Sequence, residues 1–328
     1  MKALVYDGVE TLCYRDVATA VPRAGEHLVR VTSVGICGSD MHAYLGHDSR
    51  RTAPLILGHE AAGEIVGGPR EGQRVTINPL VTCGTCPACR AARENLCPQR
   101  QIISMPPREG AFAQYLAMPA ANLVPVPDGM SLDKAALAEP LAVGWHAARL
   151  ALAALHPAAE RRALVIGGGA IGLAAALSLR AMAVEDITII EPNETRRRYL
   201  EDRCGEDVVA MADAAVGCPI VVDAVGFAAT RQTASHLVQP GGVVAHIGLG
   251  EDRGGIDIRR MTLQEITFIG TYTYTVQDFR ETTAALFNGR LGALDWAEAR
   301  CLADGARAFA DIRAGRVAAP KIMLHPHG

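Results

Sequence analysis

The residues of this chain that could do chemistry together lie between Val34 and Glu64: Cys37, Ser39, Asp40, His42, His59 and Glu60. A thiolate, an imidazole and a carboxylate are all ligands that zinc accepts. Three protein ligands with one open position is the arrangement of a reactive zinc centre rather than a structural one. Cys37 lies in Gly35-Ile36-Cys37-Gly38-Ser39-Asp40, after the alternating run His27-Leu28-Val29-Arg30-Val31-Thr32, which reads as a strand. His59 and Glu60 follow Pro54-Leu55-Ile56-Leu57-Gly58. Two strand ends, each punctuated by glycine, could place these side chains at one point and leave room for a substrate oxygen. Taken singly, a cysteine beside a glycine is usually a small buried hydrophobe, and a histidine a hydrogen-bonded core residue. Two other clusters in the same chain weigh against that plainer reading.

The first is Cys83, Cys86, Cys89 and Cys97, spaced C-x2-C-x2-C-x7-C. Four thiolates this close in sequence predict a closed tetrahedral zinc site, structural because no coordination position is left for chemistry. An iron–sulfur cluster is the alternative, since bacterial ferredoxins open with similar spacing and carry a proline after the last cysteine, as Cys97-Pro98 does; their fourth gap is shorter. Cys13, Cys204, Cys218 and Cys301 are isolated and read as ordinary core or surface residues.

The second is Gly167-Gly168-Gly169-Ala170-Ile171-Gly172, a G-x-G-x-x-G run between the apolar stretch Ala163–Ile166 and a helical pattern. Gly167 permits the tight turn, Gly169 lets a pyrophosphate approach the backbone, and Gly172 allows close helix packing. The next strand, Asp186–Ile190, ends in Glu191, 19 residues past Gly172. A carboxylate there can accept hydrogen bonds from ribose hydroxyls and would repel a 2′-phosphate, so NAD is favoured over NADP. The run Arg196-Arg197-Arg198 works the other way if one arginine reaches that phosphate.

These residues need two kinds of scaffold. The chain has 328 residues, 49% hydrophobic and 20% charged, which predicts two domains in a soluble α/β protein. A net charge of -3 gives no basic footprint for nucleic acid. No apolar run reaches the roughly 20 residues of a membrane helix, and no cleavable leader is visible. The uneven spread of cysteines argues for metal in a reducing compartment, the cytoplasm. Short alternating stretches (Leu28–Val31, Gly63–Val66, Arg74–Ile77) predict a mostly β unit over residues 1–143, with a capped helix starting at Ser131 and running through Leu155. Over 144–272 strand and helix alternate, which predicts a parallel sheet with helices on both faces; Leu263–Thr273 is expected as its last strand, available to pair across a dimer axis. Residues 273–328, with helices near Phe279–Asn288 and Ala306–Ala314 and a closing strand Lys321–His325, are expected to return to the first domain.

The chain resembles the zinc-containing medium-chain dehydrogenases over nearly its whole length, through Gly35-Ile36-Cys37-Gly38-Ser39-Asp40-Met41-His42, Gly58-His59-Glu60-Ala61-Ala62-Gly63, the four-cysteine loop and the glycine fingerprint. Glu60 directly after His59, and Glu139-Pro140-Leu141-Ala142-Val143-Gly144-Trp145-His146-Ala147, are similar to the polyol branch, which includes sorbitol, L-idonate and galactitol-phosphate dehydrogenases. The resemblance implies a GroES-like catalytic domain, a doubly wound Rossmann domain and a homodimer or homotetramer. It implies a catalytic zinc held by Cys37, His59 and Glu60, with Glu139 as a ligand or as a partner of bound water, beside the structural zinc. Ser39 and His42 match proton-relay positions, Ile171, Glu191 and Arg196 the adenosine half of NAD, and Gly248 and Thr273 positions near the nicotinamide. The implied reaction is NAD-dependent oxidation of a secondary alcohol of a polyol, sugar alcohol or sugar acid to the ketone. Ala43-Tyr44 and Tyr272-Thr273-Tyr274 depart from the sorbitol-specific pattern. The alternatives are an L-threonine 3-dehydrogenase-like enzyme, and a non-catalytic NAD-binding module with structural zinc only.

Overall fold

Alternation of apolar and polar residues from His27 onward produces the long strand Glu26–Gly35, which organises the first half of the chain in the computed structural model. The structure describes residues 1–328, apart from the side chain at 212. Glu26–Gly35 pairs antiparallel with Glu60–Val66 on one side and with both Tyr115–Pro119 and Lys321–His325 along the other. Its inward face, Val29, Val31 and Val34, is wholly buried, as one side of a sheet covering a core requires. The register sets Gly35 opposite Glu60 and Met323 opposite Gly35. Cys37, His59, Glu60 and Lys321 are thereby brought to one end of three neighbouring strands.

The chain divides into two compact units: residues 1–139, 275–288 and 297–328, and residues 140–274 and 289–296. The division at Glu139/Pro140 falls inside the continuous helix Ala138–Ala154. A Cβ at Gly144 would lie 2.5 Å from the Ala174 backbone, so this helix segment packs closely against the second unit's first crossover helix, Ala170–Ala181. Residues 275–288 and 297–328 join the first unit, and residues 289–296 the second.

In the second unit, continuous apolar runs form a six-stranded parallel sheet in the order Asp207–Val209, Asp186–Ile190, Arg162–Ile166, Cys218–Asp223, Val238–His246, Thr267–Gly270. This is the doubly wound order, with its switch point between Arg162–Ile166 and Cys218–Asp223. Its core includes Leu164, Ile166, Val221, Leu237 and Val244. The last strand is shorter than expected: Leu263 closes the helix Ile258–Leu263, and only Thr267–Gly270 is extended. The Asp257 side chain caps that helix by accepting from the Arg260 N–H, a local signal that overrides the β-branched content. No helix among the described residues is long and apolar enough to cross a membrane.

Candidate active site

Cys37 lies two residues past the strand Glu26–Gly35 and caps the helix Gly38–Tyr44, while Asp40 reaches back to accept from the Cys37 N–H at 3.0 Å. This reciprocal cap turns the chain sharply at the cysteine. The donor atoms of Cys37, His59 and Glu60 all lie within 4.8 Å of one another. Glu60 is completely buried; its Oε1 accepts from Lys321 Nζ at 2.7 Å, and Nζ also donates to the Ile36 carbonyl at 3.0 Å. Its Oε2 has no hydrogen-bond partner among the described residues. A buried carboxylate oxygen without a donor is costly, and a cation beside the thiol and the imidazole would relieve that cost. A Cβ at Gly35 would lie 2.1 Å from this oxygen, so glycine is what leaves it room.

His59 is held by its surroundings on both ring nitrogens. Nδ1 lies 3.4 Å from Asp40 Oδ1 and 3.3 Å from Ser104 Oγ, and Nε2 lies 3.4 Å from Ser39 Oγ. Asp40, wholly buried, also accepts from the Gly58 N–H at 3.2 Å. Burial by itself would raise the Asp40 carboxyl, but His59 and Arg51 outweigh it and hold it below the usual range. Burial would lower His59; the negative charges of Asp40 and Cys37 outweigh that and carry it well above its ordinary value. A carboxylate behind an imidazole is the arrangement that orients a histidine toward a metal. Thiol, imidazole and an orphaned carboxylate oxygen fit zinc. Lys321 follows the same balance: burial opposes its charge, and Glu60 first, then Cys37 and Glu139, sustain it.

Ser39 and His42 lie three residues apart on one helix and so share a face. Desolvation first, then the neighbouring His47, lowers the half-buried His42, which keeps it a neutral acceptor near pH 7. Glu139 is buried, stands outside the Cys37–His59–Glu60 group, and acts on Lys321 through its charge.

In the loop 83–97, Sγ–Sγ distances are 3.9 Å (Cys83–Cys89), 3.5 Å (Cys86–Cys89) and 3.6 Å (Cys97–Cys83). Four sulfurs around one zinc at ~2.3 Å would be about 3.8 Å apart, whereas a disulfide would need ~2.05 Å. The cage has the size of a single ion rather than a multi-iron cluster. Backbone N–H groups of Thr85 and Cys86 pull the Cys83 thiol down to about 6, toward the thiolate a metal binds.

In the second unit, Gly167 adopts φ +100° directly after its strand, as the tight turn requires. A Cβ at Gly169 would meet nothing within 4 Å, whereas one at Gly172 would lie 1.7 Å from the Gly167 carbonyl oxygen. The first leaves an open cradle at a helix N-terminus and the second seals the turn, an arrangement that fits a pyrophosphate. Glu191 is buried, its two oxygens accepting from the Gly168 and Asn193 N–H groups, both at 2.9 Å. Ile171 and Arg196 are half-buried nearby in sequence, on the first and second crossover helices. Gly248 packs its backbone on Val225, where a Cβ would sit 2.1 Å from the Val225 carbonyl carbon. Thr273 takes φ +46°, and its buried Oγ1 has no partner among the described residues.

Sequence reasoning missed Lys321, Arg51 and Ser104. The signal for Lys321 was available as a lysine opening the apolar strand Lys-Ile-Met-Leu; the other two lie in loops without a pattern.

Residues 23–128 match the alcohol dehydrogenase GroES-like domain, and residues 170–288 the zinc-binding dehydrogenase domain. The chain is 32% identical over 310 residues to L-galactonate-5-dehydrogenase of Escherichia coli K12, covering 89% of each. It is 33% identical to sorbitol dehydrogenase of Arabidopsis thaliana, covering 77% of this chain and 76% of that protein. Its fold superposes on L-idonate 5-dehydrogenase of E. coli K-12 with a TM-score of 0.86 at 25% identity, covering 99% of this chain and 97% of the other. An oxidoreductase with zinc and a nicotinamide dinucleotide as cofactors, the chain belongs to the zinc-containing medium-chain dehydrogenases, in their polyol dehydrogenase branch.

Proposed function

We propose that this chain oxidises a secondary alcohol of a polyol, sugar alcohol or sugar acid to the ketone, with NAD as hydride acceptor. The observation that carries the reading is Glu60: one oxygen is neutralised by Lys321, and the other is buried and unpartnered beside Cys37 and His59. When bound there, zinc supplies Lewis-acid polarisation of a carbinol oxygen, and the dinucleotide supplies the hydride acceptor. Cys37, His59 and Glu60 would hold the metal, with Glu139 as a further ligand or as a partner of bound water. Ser39 Oγ takes the hydroxyl proton, and His42, kept neutral by burial, carries it outward. Gly167, Gly169, Ile171 and Gly172 cradle the dinucleotide; Glu191 accepts from its ribose, Arg196 borders the adenosine half, and Gly248 and Thr273 border the nicotinamide. The sorbitol, L-idonate and L-galactonate activities of the relatives support the substrate class. A non-catalytic module would have no use for the second donor cluster.

A homodimer or homotetramer is part of the same proposal. The strand Thr267–Gly270 is the sheet's open edge, and Phe268, Ile258 and Leu263 beside it are 36%, 67% and 71% exposed, which is an edge suited to a second copy. Unpaired thiols at all nine cysteines support a cytoplasmic location.

The test is a panel of polyols and sugar acids followed by NADH absorbance, with zinc measured per chain. Turnover with one of these alcohols, lost in Cys37→Ser together with one zinc while the four-cysteine zinc stays, is the expected result. An active Cys37→Ser protein would overturn the assignment.

A further inference from the structure

Among the described residues Arg51 is the buried arginine that touches the site, and no motif accounts for it. Its side chain is 1% exposed, and its five N–H donors are all used. Nε donates to the Ser104 carbonyl at 3.0 Å; Nη1 donates to the Ser39 carbonyl at 3.3 Å and to Asp48 Oδ2 at 2.6 Å; Nη2 donates to Ser39 Oγ at 3.3 Å and to Ser104 Oγ at 3.4 Å. Those two hydroxyls flank the two nitrogens of the His59 ring. A single planar fork therefore ties one helix to two loops and touches both hydroxyls that border His59.

We propose that Arg51 is a positioning residue that sets the direction in which the Ser39 hydroxyl proton points. A guanidinium has no lone pair to offer, so neither hydroxyl can donate to it. Each serine accepts from Nη2 and must send its own proton elsewhere. His59 Nδ1 faces the Asp40 carboxylate and is a donor, and a metal on Nε2 would use that nitrogen's lone pair, so neither ring nitrogen takes the Ser39 proton, which is left for the oxygen of a bound substrate. Ser39 is thereby held with a lone pair and its proton on the substrate side, as a relay requires. Lysine cannot substitute: one ammonium has three hydrogens on a flexible stem and cannot serve five acceptors in a plane.

The inference rests on the proposed function, and the experiment separates the two. Arg51→Lys keeps the charge and the Asp48 partner, which Arg50 also holds at 2.8 Å; Arg51→Gln removes the charge. Both are prepared with and without Ser39→Ala. At saturating zinc, the lysine variant should fold with an unchanged KM for NAD and lose about 10–100-fold in kcat, while in the Ser39→Ala background it should cost less than about twofold further. Competition with a chelator should show zinc at the Cys37 site weakened about 10-fold, with the four-cysteine zinc unmoved. Equal losses in both backgrounds, or a folded lysine variant with wild-type kcat and zinc retention, would overturn the positioning role. If Arg51→Gln does not fold, the lysine variant carries the cycle alone. Absence of turnover by the wild type with every alcohol, alongside selective zinc weakening in Arg51→Lys, would sink the proposed function and leave the placement of Arg51 standing.

Discussion

Lys321→Met asks directly whether Glu60 is a charge waiting for a metal. The Lys321 and Glu60 side chains are 2% and 0% exposed and meet at 2.7 Å, so removing the cation strands a buried carboxylate near Cys37 and Glu139. Breaking one side of a buried pair costs about 3–5 kcal/mol. At roughly 2–4 °C per kcal/mol for a unit of this size, that is a fall of about 6–20 °C in Tm. The loss should be largest after the Cys37-site zinc is chelated and smaller with zinc bound, because the ion then serves as the counter-charge. The pH dependence follows from the direction of the lysine shift. Its folded pKa lies above 10.5, so its contribution is complete below that value and disappears as pH rises through the folded pKa. Wild type and variant should therefore differ throughout the neutral range and converge only in strong alkali. Calorimetry of both proteins, zinc-loaded and chelated, provides the measurement. A difference below about 1 kcal/mol in the chelated state, or the same difference in both states, would refute the reasoning.

Gly172→Ala should abolish NAD binding in a fluorescence titration, since its Cβ would lie 1.7 Å from the Gly167 carbonyl oxygen and must push the turn apart; wild-type affinity would mean that the turn yields without consequence. Glu191→Gln keeps acceptors for the Gly168 and Asn193 N–H groups only in part and removes the repulsion of a 2′-phosphate, so the NAD preference over NADP should fall about 10-fold or more; an unchanged ratio counts against the ribose contact. His325 and Asp133 meet at 2.8 Å, the histidine raised first by that hydrogen bond and the aspartate lowered by it. Their stabilisation is present between the two pKa ranges and lost as pH rises through the raised histidine value; for a pair this exposed it is about 0.5 kcal/mol. His325→Gln should therefore be slightly less stable than wild type at pH 6 and equal to it at pH 9 in urea titrations.

Local chemistry carried much of this in the linear chain. Cys83, Cys86, Cys89 and Cys97 are close enough in sequence that their spacing alone implies one cage, and the glycine run implies its own turn because only glycine tolerates φ +100° at Gly167. The parallel sheet was legible because buried strands must be continuously apolar. The end of the sheet was not: Leu263–Thr273 has strand composition, yet a side-chain cap at Asp257 and the positive φ of Glu265 decide for helix and turn. What the amino-acid order determined by itself is which donor types exist and which neighbours in sequence they act with. What only the tertiary structure decided is the charge balance of the site. Lys321 meets Glu60 across 261 residues, and Arg51 meets Ser104 across 53, because strand register and loop packing bring them together. Electrostatic energy depends on distance and burial in space, which separation along the chain does not encode.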